Sequence, residues 1–230
     1  TAHKLAVLSS IAYGIYVDFK KIHVEGITKI TIRDLKALNQ LGYKVKLLAI
    51  GNFTSKNLDL RVHPVAIPFS HPLSSVSDAF NAVHIQGDIV GDIMLSGPGA
   101  GMYPTASAVV GDIVDIVLGK INESFHRTSP KQGRINYLPI EKIKNSIYMR
   151  LVVKDTPGVL ASIASILSEH KISILAIHQT KLGETDHAEI IITTHKALNS
   201  NFYDAVNKIK KASYTVETPV CIRCADKDSF

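Results

Sequence analysis

The chain has 230 residues, 46% of them apolar and 20% charged, and a formal net charge of +6. That is enough apolar material for one large or two small cores. There is no run of the roughly 18 apolar residues that span a bilayer and no Lys/Arg cluster with stacking aromatics, so neither a membrane nor a nucleic acid is an expected partner. The opening "TAHKLAVLSSIAYGIYV" outlines a signal peptide, with one Lys before an apolar run. It lacks an initiating Met, however, and Leu5, Leu8 and Ile11 fall at helical spacing. Residues 1 to 14 therefore read as a buried helix, and a chain that opens inside a helix pattern reads as part of a longer protein.

"TIRDLKALNQLG" is a second predicted helix, with Thr31 as its cap, Asp34 in its first turn and Gly42 at its end. Asp34 reads as a favourable charge at a helix N-terminus, and Glu25 in "VEGI" as a surface loop residue. "YKVKLLAIG" alternates as a strand. "RVHPVAIPF" is also extended, and Pro64 and Pro68 predict an edge position for it. "DIVGDIML" is a third strand, running straight into "SGPGAGMYPTASAVVGDIVDI". Beyond the glycines, Thr105 is a candidate helix cap, and Val109, Ile113, Ile116 and Val117 form one helix face.

A dinucleotide fingerprint needs G-x-G-x-x-G, each glycine with its own steric role. Here Gly97, Gly99 and Gly101 alternate, Met102 stands where the third glycine belongs, and Pro98 lacks an N–H. No acidic residue ends a following strand to hold ribose hydroxyls. The spacing alone describes either a tight strand-to-helix turn or a loop closing on a ligand held mainly elsewhere. From Asn122 to Ser146 the apolar pattern weakens, Ser129-Pro130 signals a turn, and the basic residues of "HRTSPKQGRINYLPIEKIK" read as a solvated linker.

The remainder is more regular. In "IYMRLVVKD", Ile147, Met149, Leu151 and Val153 point one way. "TPGVLASIASILSEHKI" is a helix with Leu160, Ile163, Ala164 and Leu167 on one face. "SILAIHQT" and "AEIIITTH" are strands around the turn "KLGETDH". "NSNFYDAVNKIKKA" is a helix with Phe202, Val206 and Ile209 inward, and "YTVETPVCIRC" closes the sheet. The order is β-α-β-β-α-β, a ferredoxin-like unit. Cys221 and Cys224 are the only cysteines and have no second pair to complete a zinc site. They read as reduced thiols on opposite sides of a strand. The ten histidines show no metal-ligand spacing, so no metal is expected.

Three blocks, "TAHKLAVLSSIAYG", "VEGITKITIRDLKALNQLGYKVKLLAIG" and "SGPGAGMYPTASAVVGDIVDI", stand in the order and spacing of the catalytic half of monofunctional bacterial homoserine dehydrogenases. The tail "VVKDTPGVLASIASIL" resembles an ACT domain, with Asp-x-Pro-Gly-x-Leu at its first strand-to-helix junction. Together the resemblance covers nearly the whole chain. It implies an α+β fold: a substrate and dimerisation domain over residues 1–140, a mixed sheet with helices, then an ACT regulatory domain over residues 147–224. It further implies a cytoplasmic homodimer or larger oligomer that reduces L-aspartate 4-semialdehyde to L-homoserine with NAD(P)H, in threonine and methionine biosynthesis. Feedback would come from an amino acid, threonine being the family's usual effector. The family's Rossmann domain and substrate-binding glutamate lie upstream of Thr1. NAD(P) is therefore expected in the full-length enzyme and not on this chain alone, which is expected to be inactive.

The resemblance also names residues. Lys4 stands where similar enzymes place a proton-shuttling lysine. Reducing an aldehyde creates an alkoxide, which an ammonium can stabilise and protonate. Gly101, and secondarily Gly99, match the loop that lies against the nicotinamide. Asp155, Gly158, Val159, Leu160 and Gln179 match an effector site between paired ACT domains. The residues themselves admit two accounts of this last group. The helix start after Gly158 suits a carboxylate and Asp155 an ammonium, or Asp155 merely caps the helix. The rival to the enzyme is a stand-alone ACT-type amino-acid sensor without catalysis, in which Lys4 and Gly101 have no role.

Overall fold

A computed structural model describes residues 1–54, 57–120 and 136–225. Its first element, α1 (Ala2–Tyr13), ends where Gly14 turns left-handed at φ 63°, a geometry that suits a residue without Cβ. The expected burial is only partial. Leu5, Ala6 and Ser9 face inward, while Leu8 is 48% and Ile11 51% exposed. Steps of three residues fall about 60° short of a full turn, so Leu8 and Ile11 rotate off the stripe that Leu5 begins. After β1 (His23–Val24), α2 (Ile32–Gln40) starts where expected. The Thr31 backbone N–H and hydroxyl both donate to the Asp34 carboxylate, at 2.9 and 2.7 Å.

β2 (Tyr43–Thr54) and β3 (Asn57–Pro68) form a long antiparallel pair. Contrary to expectation, β3 is a central strand. Its other side pairs in parallel with β1 at Arg61 and Val62 and with β11 (Val220–Cys224) at Val65 and Ala66. The carbonyls of Val62 and Ala66 accept from Glu25 and Ala225 on that side. Pro64, of the same parity, thus directs its missing N–H into the gap between β1 and β11. A proline survives mid-sheet because no ladder bond is due there.

"DIVGDIML" is also divided. Residues 88–90 form a turn, and β5 (Gly91–Pro98) pairs back onto β4 (Phe80–Gly87), a strand the sequence pattern did not reveal. This hairpin is a separate two-stranded sheet. It leads into α3 (Met102–Val117), none of whose residues is buried. The predicted face of Val109, Ile113, Ile116 and Val117 is more than half exposed throughout. Gly101 holds the cap position, so Thr105 lies within the helix rather than before it.

β6 (Asn136–Tyr137) adds a short parallel pairing to β3. The predicted Ser129-Pro130 turn and the basic residues from His126 to Arg134 lie outside the described residues. Then come β7 (Lys144–Lys154), α4 (Val159–Glu169), β8 (Ile174–Lys181), β9 (His187–Thr194), β10 (Ala197–Leu198) and α5 (Asn199–Lys210). The order β11-β7-β9-β8 is that of the expected ferredoxin-like unit, but β11 does not close the sheet. It joins the unit to β3, so one nine-stranded sheet runs through both halves of the chain.

Both faces of that sheet are covered near its centre. Ile147, Met149, Leu151 and Val153 pack beneath α4 and α5 with Ile163, Leu167, Phe202 and Ile209. On the reverse, Tyr148 and Ile222 meet Leu38 of α2 and Ala66 of β3, and Leu58, Leu60 and Val62 meet α1. Among the described residues, no helix is long and apolar enough to cross a membrane.

The α2 face carries an ion pair. Arg150 of β7 donates to Asp34 from Nε at 2.6 Å and from Nη2 at 3.3 Å, both side chains being buried. Asp34 is thus more than first-turn electrostatics. Burial alone would raise its carboxyl, but the hydrogen bonds from Arg150 and Thr31 outweigh this and hold it below the ordinary range. Asp34→Ala should lower the unfolding free energy by about 3 kcal/mol or more, since it strands a buried guanidinium. Urea denaturation measures this, and a loss under about 1 kcal/mol would mean that Glu189 and Glu217, 3.8 and 3.5 Å from Arg150, take over the pairing. The sign of the pH effect follows from the lowered carboxyl. Its contribution is complete above the unfolded value of about 3.9 and is lost as pH falls through the folded value. The variant's stability should therefore decline less steeply than the parent's below about pH 4.

Candidate functional site

Where β7 hands over to α4, the chain turns through residues 155–158. Gly158 adopts φ 89°, and a Cβ built there would meet nothing within 4 Å, so its free side opens outward. The Val159 N–H is used by Thr156 O at 3.3 Å, and Ser162 N–H donates back to Gly158 O at 2.9 Å. Among the described residues no backbone carbonyl takes the N–H groups of Leu160 or Ala161. They are the free donors of a helix start.

Asp155, Gly158, Val159, Leu160 and Gln179 all line one groove of about 340 Å³, together with Pro157, Val153 and Ile190. That volume suits a small molecule. Gln179 reaches across from β8 and donates through Nε2 to Asp155 Oδ1 at 3.3 Å. Asp155 therefore does not cap α4; the cap position belongs to Gly158, with no side-chain bond. The groove offers a carboxylate on one wall and backbone donors on the other, a polarity complementary to a zwitterion.

The other predicted residues lie apart from it. Lys4 is exposed on the first turn of α1, which packs on β2 and β3. The glycine block follows the β4–β5 hairpin. Gly99 N–H donates to Ala79 O at 2.7 Å, and a Cβ on Gly99 would collide with the Asn81 amide. Gly101 sits at φ 133°, where side chains are disfavoured. Neither Lys4 nor these glycines line the groove.

Glu25 is not the expected surface residue. Arg223 of β11 clamps both its oxygens at 2.8 Å, and His23 lies 2.7 Å away. Burial opposes the charge, yet these partners hold the carboxyl far below its usual range. Arg223 stands 198 positions from Glu25, so no local pattern announces the clamp. A second cavity, of about 180 Å³, gathers Arg61, His63, Lys144, Lys196 and Arg223. This basic cluster was also invisible as spacing, its members being scattered over three strands and a loop. Among the described residues no three His, Cys, Asp or Glu side chains come together as a metal site. Cys221 is exposed and Cys224 buried.

Residues 1–114 match the homoserine dehydrogenase family, and residues 147–213 match the ACT domain. The homoserine dehydrogenase of Neisseria gonorrhoeae is 38% identical over 224 residues, 95% of this chain and 51% of that protein. The chain belongs to the homoserine dehydrogenase family. The Pseudomonas aeruginosa homoserine dehydrogenase is 40% identical over 212 residues, 89% of this chain and 49% of its own length. A solved homoserine dehydrogenase from Thiobacillus denitrificans superposes with a TM-score of 0.85 at 38% identity, covering 98% of this chain and 52% of that one. The chain thus spans about half the length of the homoserine dehydrogenases it matches, and corresponds to their C-terminal region.

The groove residues Asp155 and Gln179 are exposed and contact little beyond each other. Asp155→Asn and Gln179→Ala should each change the unfolding free energy by no more than about 0.5 kcal/mol. A thermal or urea melt showing a loss above 1–2 kcal/mol would assign them a structural role instead.

Proposed function

We propose that the protein acts as a homoserine dehydrogenase, reducing L-aspartate 4-semialdehyde to L-homoserine with NAD(P)H, under feedback from an amino acid. The likeness to homoserine dehydrogenases in both sequence and fold, along nearly the whole chain, carries this reading. Residues 1–140 would furnish the substrate and dimerisation unit and residues 147–224 the ACT regulatory unit, sharing one sheet. The work would take place in the cytoplasm, within threonine and methionine biosynthesis.

The glycine block fits a flat cofactor ring: Gly101 and Gly99 leave backbone bare where a side chain would be strained or would collide. When bound, NAD(P)H supplies the hydride. The chain's own contribution is at the substrate oxygen. The ammonium of Lys4 stabilises the charge that develops there and delivers a proton to it. In the ACT unit, Asp155 pairs with the effector's ammonium, the α4 start receives its carboxylate, and Val159, Leu160 and Gln179 complete the wall. Threonine is the effector this reading favours.

A second copy of the chain completes the assembly. Among the described residues, β8 has no strand on its outer edge beside the groove, with Leu175 60% exposed, and α3 leaves a whole apolar face bare. Such surface is an association site rather than a stable exterior.

Three measurements test the reading. In the full-length enzyme, Lys4→Ala should lower kcat by about 100-fold or more; near-normal turnover removes Lys4 from the reaction. Calorimetry should detect threonine on this chain, and Gly158→Val, which adds bulk at a positive φ, should abolish the binding. Absence of any amino-acid binding at millimolar concentration, or unchanged binding by the variant, refutes the effector site. Sedimentation should show a dimer or larger species, and a clean monomer at micromolar concentration contradicts the proposed assembly.

A further inference from the structure

The second cavity lies on the α5 side of the sheet, at the junction of β3, β7 and β11. Ile50, Val65 and Ala225 form apolar walls around the basic side chains. Within it the polar groups are unevenly satisfied. Every guanidinium nitrogen of Arg223 is paired, with Glu25, Tyr203 and Asn199 taking four of its hydrogens. Arg61 differs. Its side chain is only 8% exposed, its sole ion pair is a long 3.6 Å contact from Nη2 to Asp59 Oδ2, and Nε and Nη1 have no partner among the described residues.

Buried donors are almost always paired, and a buried guanidinium with two idle donors is costly. Asp59 does not repair the deficit, since its own Oδ1 is also unpartnered. Lys144 adds a further positive charge to the lining. These groups call for an oxyanion.

His63 narrows the choice. It is 1% exposed, and burial, reinforced by the charge of Arg223, lowers its pKa to about 3. The ring is therefore neutral near pH 7. Nδ1 lies 3.0 Å from Pro64 O and must carry the proton to donate there. Nε2 is left as an unpartnered, buried acceptor. It needs an O–H or N–H.

We infer that this cavity is a second ligand site, taking a small oxyanion that also carries a protic group, with the anion on Arg61 and the O–H or N–H on Nε2 of His63. A volume of about 180 Å³ lies below the roughly 300 Å³ at which pockets begin to accept drug-sized molecules. It admits hydrogen phosphate or a short hydroxy acid and excludes a nucleotide. The site is distinct from the α4 groove, with which it shares no lining residue.

The test is calorimetry of the 230-residue chain near neutral pH and constant ionic strength, with inorganic phosphate, sulfate, glycolate and acetate as probes. Phosphate and sulfate have the same shape, but only phosphate keeps a proton. Glycolate and acetate differ by one hydroxyl. The protic member of at least one pair should bind about tenfold or more tightly than its aprotic partner, the value of one buried hydrogen bond. The phosphate pair and the acid pair then identify which source of oxyanion the site takes. Lys144→Glu, an exposed position, should weaken binding at least about tenfold, and Arg61→Met should abolish it provided the variant keeps its circular dichroism. Asp155→Asn should leave it unchanged. No binding of phosphate or glycolate at millimolar concentration overturns the proposal. Equal binding within both pairs, or binding indifferent to Lys144→Glu, overturns it as well.

Discussion

The structure depends on the double pairing of β11. This five-residue strand runs antiparallel to β7 along its whole length and parallel to β3 at Arg223 and Cys224. Two bonded pairs are little contact by area, but they make one hydrogen-bonded sheet out of two topologies. The register they impose sets the neighbourhood of each buried charge. Arg223 is carried to Glu25 just beyond β1, and Arg150, which pairs with Val220, is carried to Asp34 on α2. One pair lies on each face of the sheet. Breaking the β11–β3 register would separate both arginines from their carboxylates, leaving uncompensated charge in the interior.

This arrangement explains which parts of the fold were legible in sequence. The alternation of Ile147, Met149, Leu151 and Val153 and the helix faces around Ile163 and Phe202 report burial against near neighbours, and the structure keeps them in one core. Strand β3 defeated the same reasoning. Proline argues for an edge only if the edge is continuous, whereas here it faces an internal break between two short partners. The β4–β5 hairpin was missed because its turn retains Ile89 and Val90, so the apolar pattern passes through the bend without a pause. Glu25, Arg223 and the Arg61–His63 cavity depend on contacts between distant segments, which no periodicity encodes.

The geometry of the candidate groove was more readable than any grouping of the proposed catalytic and cofactor residues, for a related reason. Asp155, Gly158, Val159 and Leu160 lie within six consecutive positions, and the strand-to-helix turn itself builds their geometry. Only Gln179 had to be brought in by strand pairing. Lys4 and the glycine block, by contrast, stand on separate elements, and a site that joined them would need surfaces beyond these two elements. The face of α3 agrees with this, because an apolar helix face left bare among the described residues calls for cover.

The same sheet constrains how a ligand in the groove can influence α1. Groove and helix are toward opposite ends of the strand order, and the proposed effector would act only by favouring one of two arrangements of the material between them. That material is stiff: β7 is buried on both faces, and its Arg150 is fixed by Asp34. On the surface next to it, Arg33 of α2 reaches Glu189 of β9 at 2.5 Å and Glu217 at 3.8 Å. The link between the ACT unit and α2 is thus the buried packing around Leu38 together with these charge contacts, rather than a flexible hinge. Packed interiors change by switching discretely rather than by bending. Under the proposed regulation, a signal from the groove would therefore travel more readily through the β8 edge, left open among the described residues, by altering how two copies meet, than through the interior of one chain.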